Sequence, residues 1–337
     1  MIPYRTARVL KRLGIVLLAV LAVTALVLAC WFMWLQRFVI YTPEGAVLDL
    51  SLSQEFAGGQ TAVPPEPGEP VSIYYNEGEN AINVSKEMQQ FVGYYADQAA
   101  LEKDIDQVLE QVKALPRDAA VMVDVKSPKG SFFYSSTVGE NRNPDIEPAK
   151  MDQLIKYLAD KNIYAIARLP ALRDYAYGLH HVPDGLPVSG GYLWADDDYC
   201  YWLNPASQGT QTYLLQIASE LKALGFDEVV FDEFRFPDTG SIIFNGDRTE
   251  ALNQAAKTLV TAAGDSSFTV SFIKYGSLTL PEGRSRLYMT NVAAADAARV
   301  AEESGIQDAM VRLVFLTEVH DTRFDEFCVL RPLEAAH

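Results

Sequence analysis

The chain has 337 residues, of which 28 are basic and 44 are acidic, so its formal net charge is −16 at pH 7. The first 37 residues contain five of the basic residues and no acidic residue, which leaves 23 basic against 44 acidic residues in the remainder. An acidic body of this kind repels the phosphates of nucleic acids and anionic lipid headgroups, so we predict no nucleic-acid partner.

The N-terminus predicts a membrane anchor. Residues 1–12 carry four cations and no acid, and residues 13–35 form an uncharged apolar run long enough to span a bilayer. A cleavable signal peptide has a shorter apolar core that ends at small residues, whereas Trp31, Phe32 and Trp34 end this one. We therefore predict a single-pass signal anchor in the cell membrane, with the lipid bilayer as partner, the basic tail in the cytoplasm and the remaining chain outside.

A stalk is predicted between this anchor and the next patterned segment. Residues 36–90 include the proline-rich acidic run Val63–Pro70. Segments of this composition stay extended and act as semi-rigid spacers. Within the stalk, Ala46–Leu52 alternates like a short strand.

From residue 91 onward, apolar strands alternate with amphipathic helices. Strands are predicted at residues 91–95, 119–125, 163–169, 228–232, 268–273, 287–290, 310–316 and 326–330. Eight strands buried on both faces and alternating with helices predict an α/β fold, a closed (β/α)8 TIM-type barrel over residues 91–337. We expect irregularity at its C-terminal end, because residues 317–325 are too few for a helical crossover. The alternative is an open doubly wound sheet, although no glycine-rich phosphate loop follows the first strand.

Charged residues stand where three of these strands end. In a barrel of this type, chemistry belongs to the carboxyl ends of the strands. The residues there are Asp124 and Lys126 after the second strand, Arg168 in the third, and Asp232, Glu233 and Arg235 after the fourth. Two roles stay open for Asp124 and Lys126, namely an ion pair with each other or contacts to a substrate.

Three of these segments resemble a known family. They are Val121–Lys126, Ile163–Arg168 and the motif Phe-Asp-x-x-Arg-Phe-Pro at Phe231–Pro237. Together they are similar to the glycoside hydrolase TIM-barrel domain family of bacterial membrane-attached and secreted proteins, over about Gly93 to Asp238. The resemblance implies a barrel related to retaining α-glycosidases, with the acidic residue at the end of strand four as candidate catalytic carboxylate. Asp232 and Arg235 match the motif, whereas Glu233 replaces a residue that is more often aromatic.

Glycoside hydrolysis needs two carboxyls, one to protonate the leaving oxygen and one to meet the oxocarbenium-like carbon. Asp232 is the candidate nucleophile, and its alternative role is an ion pair with Arg235 or Arg168. Glu233 is a candidate acid/base or an outward-facing surface residue, since consecutive strand residues point to opposite sides. Glu318, just past the seventh strand, is the other acid candidate.

A long insertion at residues 171–203 is rich in aromatic and acidic residues. We predict that Tyr192, Trp194 and Trp202 stack on sugar rings, because long loops on a rigid scaffold often carry binding. The alternative is a satellite hydrophobic cluster under the loop. Asp196–Asp198 lacks the spacing of a calcium loop and indicates a solvated acidic tip.

No metal or other cofactor is predicted, because the chain has neither Cys-x-x-Cys nor His-Glu-x-x-His spacing. A disulfide between Cys200 and Cys328 stays open. The sequence therefore predicts a membrane-anchored, extracytoplasmic glycoside hydrolase that acts on a poly- or oligosaccharide. The alternative is a non-catalytic glycan-binding or envelope-structural protein on a degenerate barrel.

Overall fold

The computed structural model describes Thr24 and residues 39–42, 45–48, 88–139 and 142–336. The chain divides into two compact units, Met1–Glu77 and Gly78–His337. In the first unit, strands Val39–Thr42 and Gly45–Leu48 pair antiparallel as a short hairpin. The second of these strands overlaps the strand-like stretch predicted at Ala46–Leu52.

Apart from Thr24, the predicted anchor at residues 13–35 lies outside the described residues. Among the residues that are described, no helix combines the length and the apolar character needed to cross a bilayer. Most of the predicted stalk likewise lies outside the described ranges.

The second unit contains eight parallel strands that close into a barrel. The strands are β1 (Val92–Ala96), β2 (Ala120–Asp124), β3 (Ala165–Pro170), β4 (Glu228–Asp232), β5 (Thr269–Ile273), β6 (Leu287–Met289), β7 (Leu313–Leu316) and β8 (Cys328–Pro332). Each strand pairs with the next along the chain, and β8 pairs with β1. The (β/α)8 prediction is therefore confirmed over the open doubly wound sheet.

Helices pack outside the barrel between successive strands. They are α1 (Gln98–Ala114), α2 (Pro148–Asp160), α3 (Tyr175–His180), α4 (Gln208–Ala223), α5 (Arg248–Ala263), α6 (Ala297–Glu303) and α7 (Ala309–Arg312). The longer helices begin where the sequence supplies a start signal. The side chains of Asp97, Ser207 and Asp247 accept a hydrogen bond from a first-turn N–H of α1, α4 and α5. Pro148 opens α2, as predicted.

The C-terminal half of the barrel is irregular, as expected. The described residues 274–286 between β5 and β6 include no helix, and β6 has three residues. In the connection from β7 to β8, the described residues 317–327 hold only the 3-10 turn Thr322–Phe324. The strand predicted at residues 310–316 begins at Leu313, because Ala309–Arg312 form a helical turn instead.

Side chains along each strand alternate between the barrel interior and the helical layer. The middle of the interior is apolar, formed by Met122, Ile166, Val230, Ile273, Val314 and Leu330. Two residues further along β2, β3 and β4 are Asp124, Arg168 and Asp232. The same alternation that buries the apolar layer therefore brings these three charged residues to the carboxyl-terminal mouth of the barrel.

Candidate active site

Asp232 ends β4 and is half-buried at the mouth. Its Oδ1 accepts hydrogen bonds from the Tyr275 hydroxyl at 2.6 Å and from the backbone N–H of Glu233 at 2.6 Å. Burial and then the negative charge of Asp232 raise the pKa of Tyr275 well above its ordinary value, so this hydroxyl stays protonated as a donor. No hydrogen bond to Oδ2 of Asp232 comes from the described part of the chain, which leaves that oxygen open.

Tyr275 was not predicted from the sequence as a site residue. It packs against the apolar interior layer and lies two residues beyond Ile273, the last residue of β5. Alternation with a period of two, continued past the end of β5, predicts that Tyr275 lies on the same face as Ile273. The same rule, applied to β1, identifies Tyr95, which also packs against this layer.

Asp124 and Arg168 form a bidentate ion pair across β2 and β3. The Arg168 guanidinium donates to Asp124 at 2.6 and 2.9 Å, and the backbone N–H of Gln98 donates to Oδ2 of Asp124 at 2.8 Å. Burial raises the pKa of Asp124 against the opposing charge of Arg168. For Arg168, burial opposes the charged form, but Asp124 and more weakly Asp232 favour it, and the pKa of Arg168 is raised. A permanent positive charge therefore acts on Asp232.

The ion pair between Asp124 and Lys126 left open above does not form. Lys126 pairs instead with Asp174 at 2.8 Å, and both side chains are fully buried. The Lys126 amino group also donates to the carbonyl of Pro170 at 3.0 Å, and the Tyr213 hydroxyl donates to Asp174 at 2.9 Å. Lys126 lies past the end of β2, and its fully buried ion pair leaves no exposed surface for contact with a substrate, so we assign it a structural role.

Glu233 has a left-handed backbone with φ of 48°, a conformation that costs energy for a residue with a side chain. This conformation ends the strand alternation, so the rule that would point Glu233 outward does not apply. Its carboxylate accepts a hydrogen bond from Arg235 Nε at 2.8 Å. The Arg235 guanidinium also lies over the rings of Trp202 and Tyr275, at 4.9 and 5.1 Å from their centroids. Arg235 therefore pairs with Glu233 and not with Asp232.

Glu318 is exposed beyond the end of β7. Burial, and next the negative charge of Glu318, raise the pKa of Tyr95. The charge of Arg168 acts to lower this pKa, and the charge of Asp124 acts to raise it. Glu318, Tyr95 and Asp97 line a cavity of about 370 Å³ at the end of β1. Within the described residues, the Glu318 carboxylate has no hydrogen-bond or ion-pair partner, which distinguishes it from Asp124 and Glu233.

The aromatic residues of the insertion mostly pack on one another. Trp202 is only 2% exposed, and the half-buried Trp194 lies edge-on to it at 6.1 Å. The expectation that Trp202 presents an exposed ring at the mouth is therefore wrong, because Arg235 covers it. Tyr192 is 75% exposed.

Asp196 is not part of a solvated tip either. Its carboxylate accepts hydrogen bonds from Arg173, from the Trp202 indole and from the backbone N–H groups of Asp198 and Cys200. These bonds tie the tip of the insertion to its base. In the described part of the chain, Cys200 and Cys328 are both buried and free, so the disulfide left open is not formed. No cluster of three His, Cys, Asp or Glu side chains suited to a metal occurs there.

A family model described as "Putative glycosyl hydrolase domain" matches residues 93–276, more than half of the chain. No curated protein matches the sequence. Among solved structures, a hypothetical protein from Ruminiclostridium thermocellum is 23% identical with a TM-score of 0.45, and the match covers 53% of this chain and 96% of that one.

Two further solved structures are glycoside hydrolases. A variant of the GH36 α-galactosidase AgaA from Geobacillus stearothermophilus, in complex with raffinose, is 12% identical with a TM-score of 0.50, covering 73% of this chain and 39% of that one. The glycoside hydrolase domain of PelA from Pseudomonas aeruginosa is 13% identical with a TM-score of 0.42, covering 73% and 96%. The likeness to the α-galactosidase shows a shared fold, and this chain spans about two fifths of that enzyme's length.

Proposed function

The chain belongs to the glycosyl hydrolase domain family that residues 93–276 match, and from this premise we propose that it hydrolyses a glycosidic bond of a poly- or oligosaccharide at the barrel mouth. The observation that carries the proposal is the carboxylate of Asp232. It lies at the carboxyl end of a barrel strand, where chemistry in this fold takes place. One of its oxygens is fixed by two donors, and the other is open.

Asp232 acts as the nucleophile in this proposal. Its Oδ2 attacks the anomeric carbon while the bond from that carbon to the leaving oxygen breaks, which gives a covalent glycosyl ester. A general acid protonates the leaving oxygen. The same group then removes a proton from water, and the attack of that water releases the sugar and restores the Asp232 carboxylate.

Two neighbours support Asp232 in this role. The Tyr275 hydroxyl and the Glu233 N–H hold Oδ1, so the carboxylate keeps one orientation. Arg168 contributes a buried positive charge that acts on Asp232 without the two being joined by a hydrogen bond. The carboxylate is thereby fixed in position with a positive charge near it.

Glu318 is the general acid in this proposal. Three hydrogen bonds occupy Asp124, and Arg235 occupies Glu233. Glu318 is the remaining candidate with an uncommitted carboxylate. In a retaining enzyme its carboxyl lies about 5–5.5 Å from that of Asp232, and in an inverting enzyme about 6.5–9.5 Å. The nucleophilic role of Asp232 predicts the shorter separation in the substrate complex.

The setting is also part of the proposal. The basic tail of residues 1–12 and the apolar run of residues 13–35 support a single-pass anchor with the barrel outside the cell membrane. A glycan of the cell envelope or its surroundings is then the accessible substrate class.

The test is to incubate the full-length protein with a broad panel of poly- and oligosaccharides and to follow the anomeric protons by NMR. We expect hydrolysis of at least one glycan, with the first-formed product keeping the anomeric configuration of the substrate. Inverted product would remove the nucleophilic role of Asp232. Binding without any hydrolysis would favour the non-catalytic glycan-binding alternative.

A further inference from the structure

A second cavity, of about 540 Å³, opens beside the first turn of α1. Its other walls are the connection between β2 and α2 and the tip of the insertion after β3. We call it the side groove, and the residues that define it here are Gln98, Glu102, Ser127, Asn143 and Tyr199. We propose that the side groove binds an uncharged saccharide chain that extends from the bond being cleaved at the mouth, an inference that rests on the proposed function.

The floor of the side groove carries polar groups in fixed positions. Oε1 of Glu102 accepts hydrogen bonds from the Gln98 side-chain amide at 2.7 Å and from the Asn143 amide at 2.9 Å. Asn143 and Ser127 are buried. Oε2 of Glu102 accepts no hydrogen bond from the described residues, and Glu102 lines this cavity. Fixed donors and acceptors suit sugar hydroxyls, which both donate and accept.

The rim of the side groove presents one aromatic ring on a rigid support. Tyr199 is 77% exposed, and its backbone is left-handed with φ of 58°. The Tyr199 N–H donates to the Asp196 carbonyl at 2.9 Å, and the Asp196 carboxylate is itself anchored by Arg173 and Trp202. A large ring left in water on a fixed turn is a surface for stacking against the apolar face of a sugar.

The side groove and the mouth share one residue. The Gln98 side chain lines the groove, while its backbone N–H donates to the Asp124 carboxylate at the mouth. In this proposal, a saccharide with one unit at Asp232 passes Gln98 to reach the side groove.

Charge selects the kind of saccharide. Four carboxylates line the side groove, those of Glu102, Asp145, Asp197 and Asp198, against two cations, Lys129 and Arg173. Arg173 is already paired with Asp196 and Asp198. The excess of negative charge repels uronate-containing chains, so an uncharged chain is the expected occupant.

The test measures binding with the full-length protein carrying Asp232→Asn, so that no substrate is cleaved. The probes are neutral and uronate-containing oligosaccharides of two to eight units on an array. We expect affinity to rise with the length of the neutral chains. Tyr199→Ala and Tyr199→Asn should each weaken binding of the longer chains about tenfold, because both remove the stacking ring. Asparagine tolerates the left-handed backbone, which guards against a folding defect.

Leu179→Ala is the control, because Leu179 is a large exposed apolar residue on the same insertion that does not line the side groove. It should leave affinity unchanged, and all variants should keep their melting temperature. Three results would overturn the proposal: no binding of neutral chains, preference for uronate chains, or equal effects at Leu179 and Tyr199. If the Tyr199 variants lose binding and the parent hydrolyses no glycan, the side groove is supported and the proposed enzyme activity is lost. If the rate of hydrolysis depends neither on chain length nor on Tyr199, the enzyme activity is supported and the side groove is lost.

Discussion

At the level of single residues, the hydroxyl of Tyr275 is one of the two donors that hold the carboxylate of Asp232. Hydrogen bonds to an ionised carboxylate are stronger than those between neutral groups. Tyr275→Phe removes only this hydroxyl. We expect kcat to fall about ten- to hundredfold, which corresponds to the loss of roughly 1.5–3 kcal/mol for a charge-assisted hydrogen bond.

The matched control for this change is Tyr288→Phe. The Tyr288 hydroxyl donates to the buried carboxylate of Glu228 at 2.8 Å, at the amino-terminal end of the same barrel. This variant should lose stability and keep the parent's kcat. A folded Tyr275→Phe protein with kcat within twofold of the parent would show that Tyr275 does not act through Asp232.

The residues of the mouth were partly predictable. Asp124, Arg168 and Asp232 could be found because they continue an alternating buried pattern to the end of a strand. The pairing of Lys126 with Asp174 could not be predicted, because Asp174 lies 48 positions further along the chain and local pattern cannot reveal it. The pairing of Glu233 with Arg235 depends on the left-handed backbone of Glu233. The sequence does not indicate this conformation, because the residue is not glycine.

At the level of elements, the buried pair of Lys126 and Asp174 joins the end of β2 to α3. Asp174 caps α3 by accepting a hydrogen bond from the Tyr177 N–H, and it also receives the Tyr213 hydroxyl of α4. Lys126→Met leaves this carboxylate buried without its cation. We expect the free energy of unfolding to fall by about 3–5 kcal/mol, measured by urea denaturation.

The control for Lys126→Met is Lys156→Met on α2. Lys156 forms an exposed ion pair with Asp160 at 2.8 Å. Exposed pairs are screened by solvent, so this variant should unfold at nearly the parental urea concentration. If Lys126→Met instead keeps parental stability and raises KM, Lys126 contacts the substrate and its structural assignment is wrong.

The elements followed from the sequence best where strands are long and helices are capped. Parallel strands buried on both faces appear as continuous apolar runs, which located β2, β3 and β4. The start of β7 was placed early because Met310 and Val311 continue its apolar run while belonging to a helical turn. Periodicity cannot separate a short apolar helix from a strand, so that boundary required the three-dimensional contacts.

At the level of the whole molecule, orientation across the membrane remains a prediction from residues 1–35. Protease added to intact cells should digest the barrel domain and spare about the first dozen residues, since these stay in the cytoplasm. Immunoblots against both ends of the chain provide the measurement. A cytoplasmic protein that survives until lysis is the control, and protection of the barrel domain until the same point would contradict the orientation.

The most direct measurement for the whole molecule compares the hydrolysis rates of Asp232→Asn and Asp227→Asn. Both changes replace a carboxylate with an amide at β4, but Asp227 lies at the other end of the strand, where it accepts a hydrogen bond from the Ala165 N–H at 2.8 Å. On the glycan that the parent cleaves, Asp232→Asn should lose several orders of magnitude in kcat while keeping its fold. Asp227→Asn should keep most of the activity. Retention of more than about a tenth of parental kcat by a folded Asp232→Asn protein would contradict the assignment of Asp232 as the nucleophile.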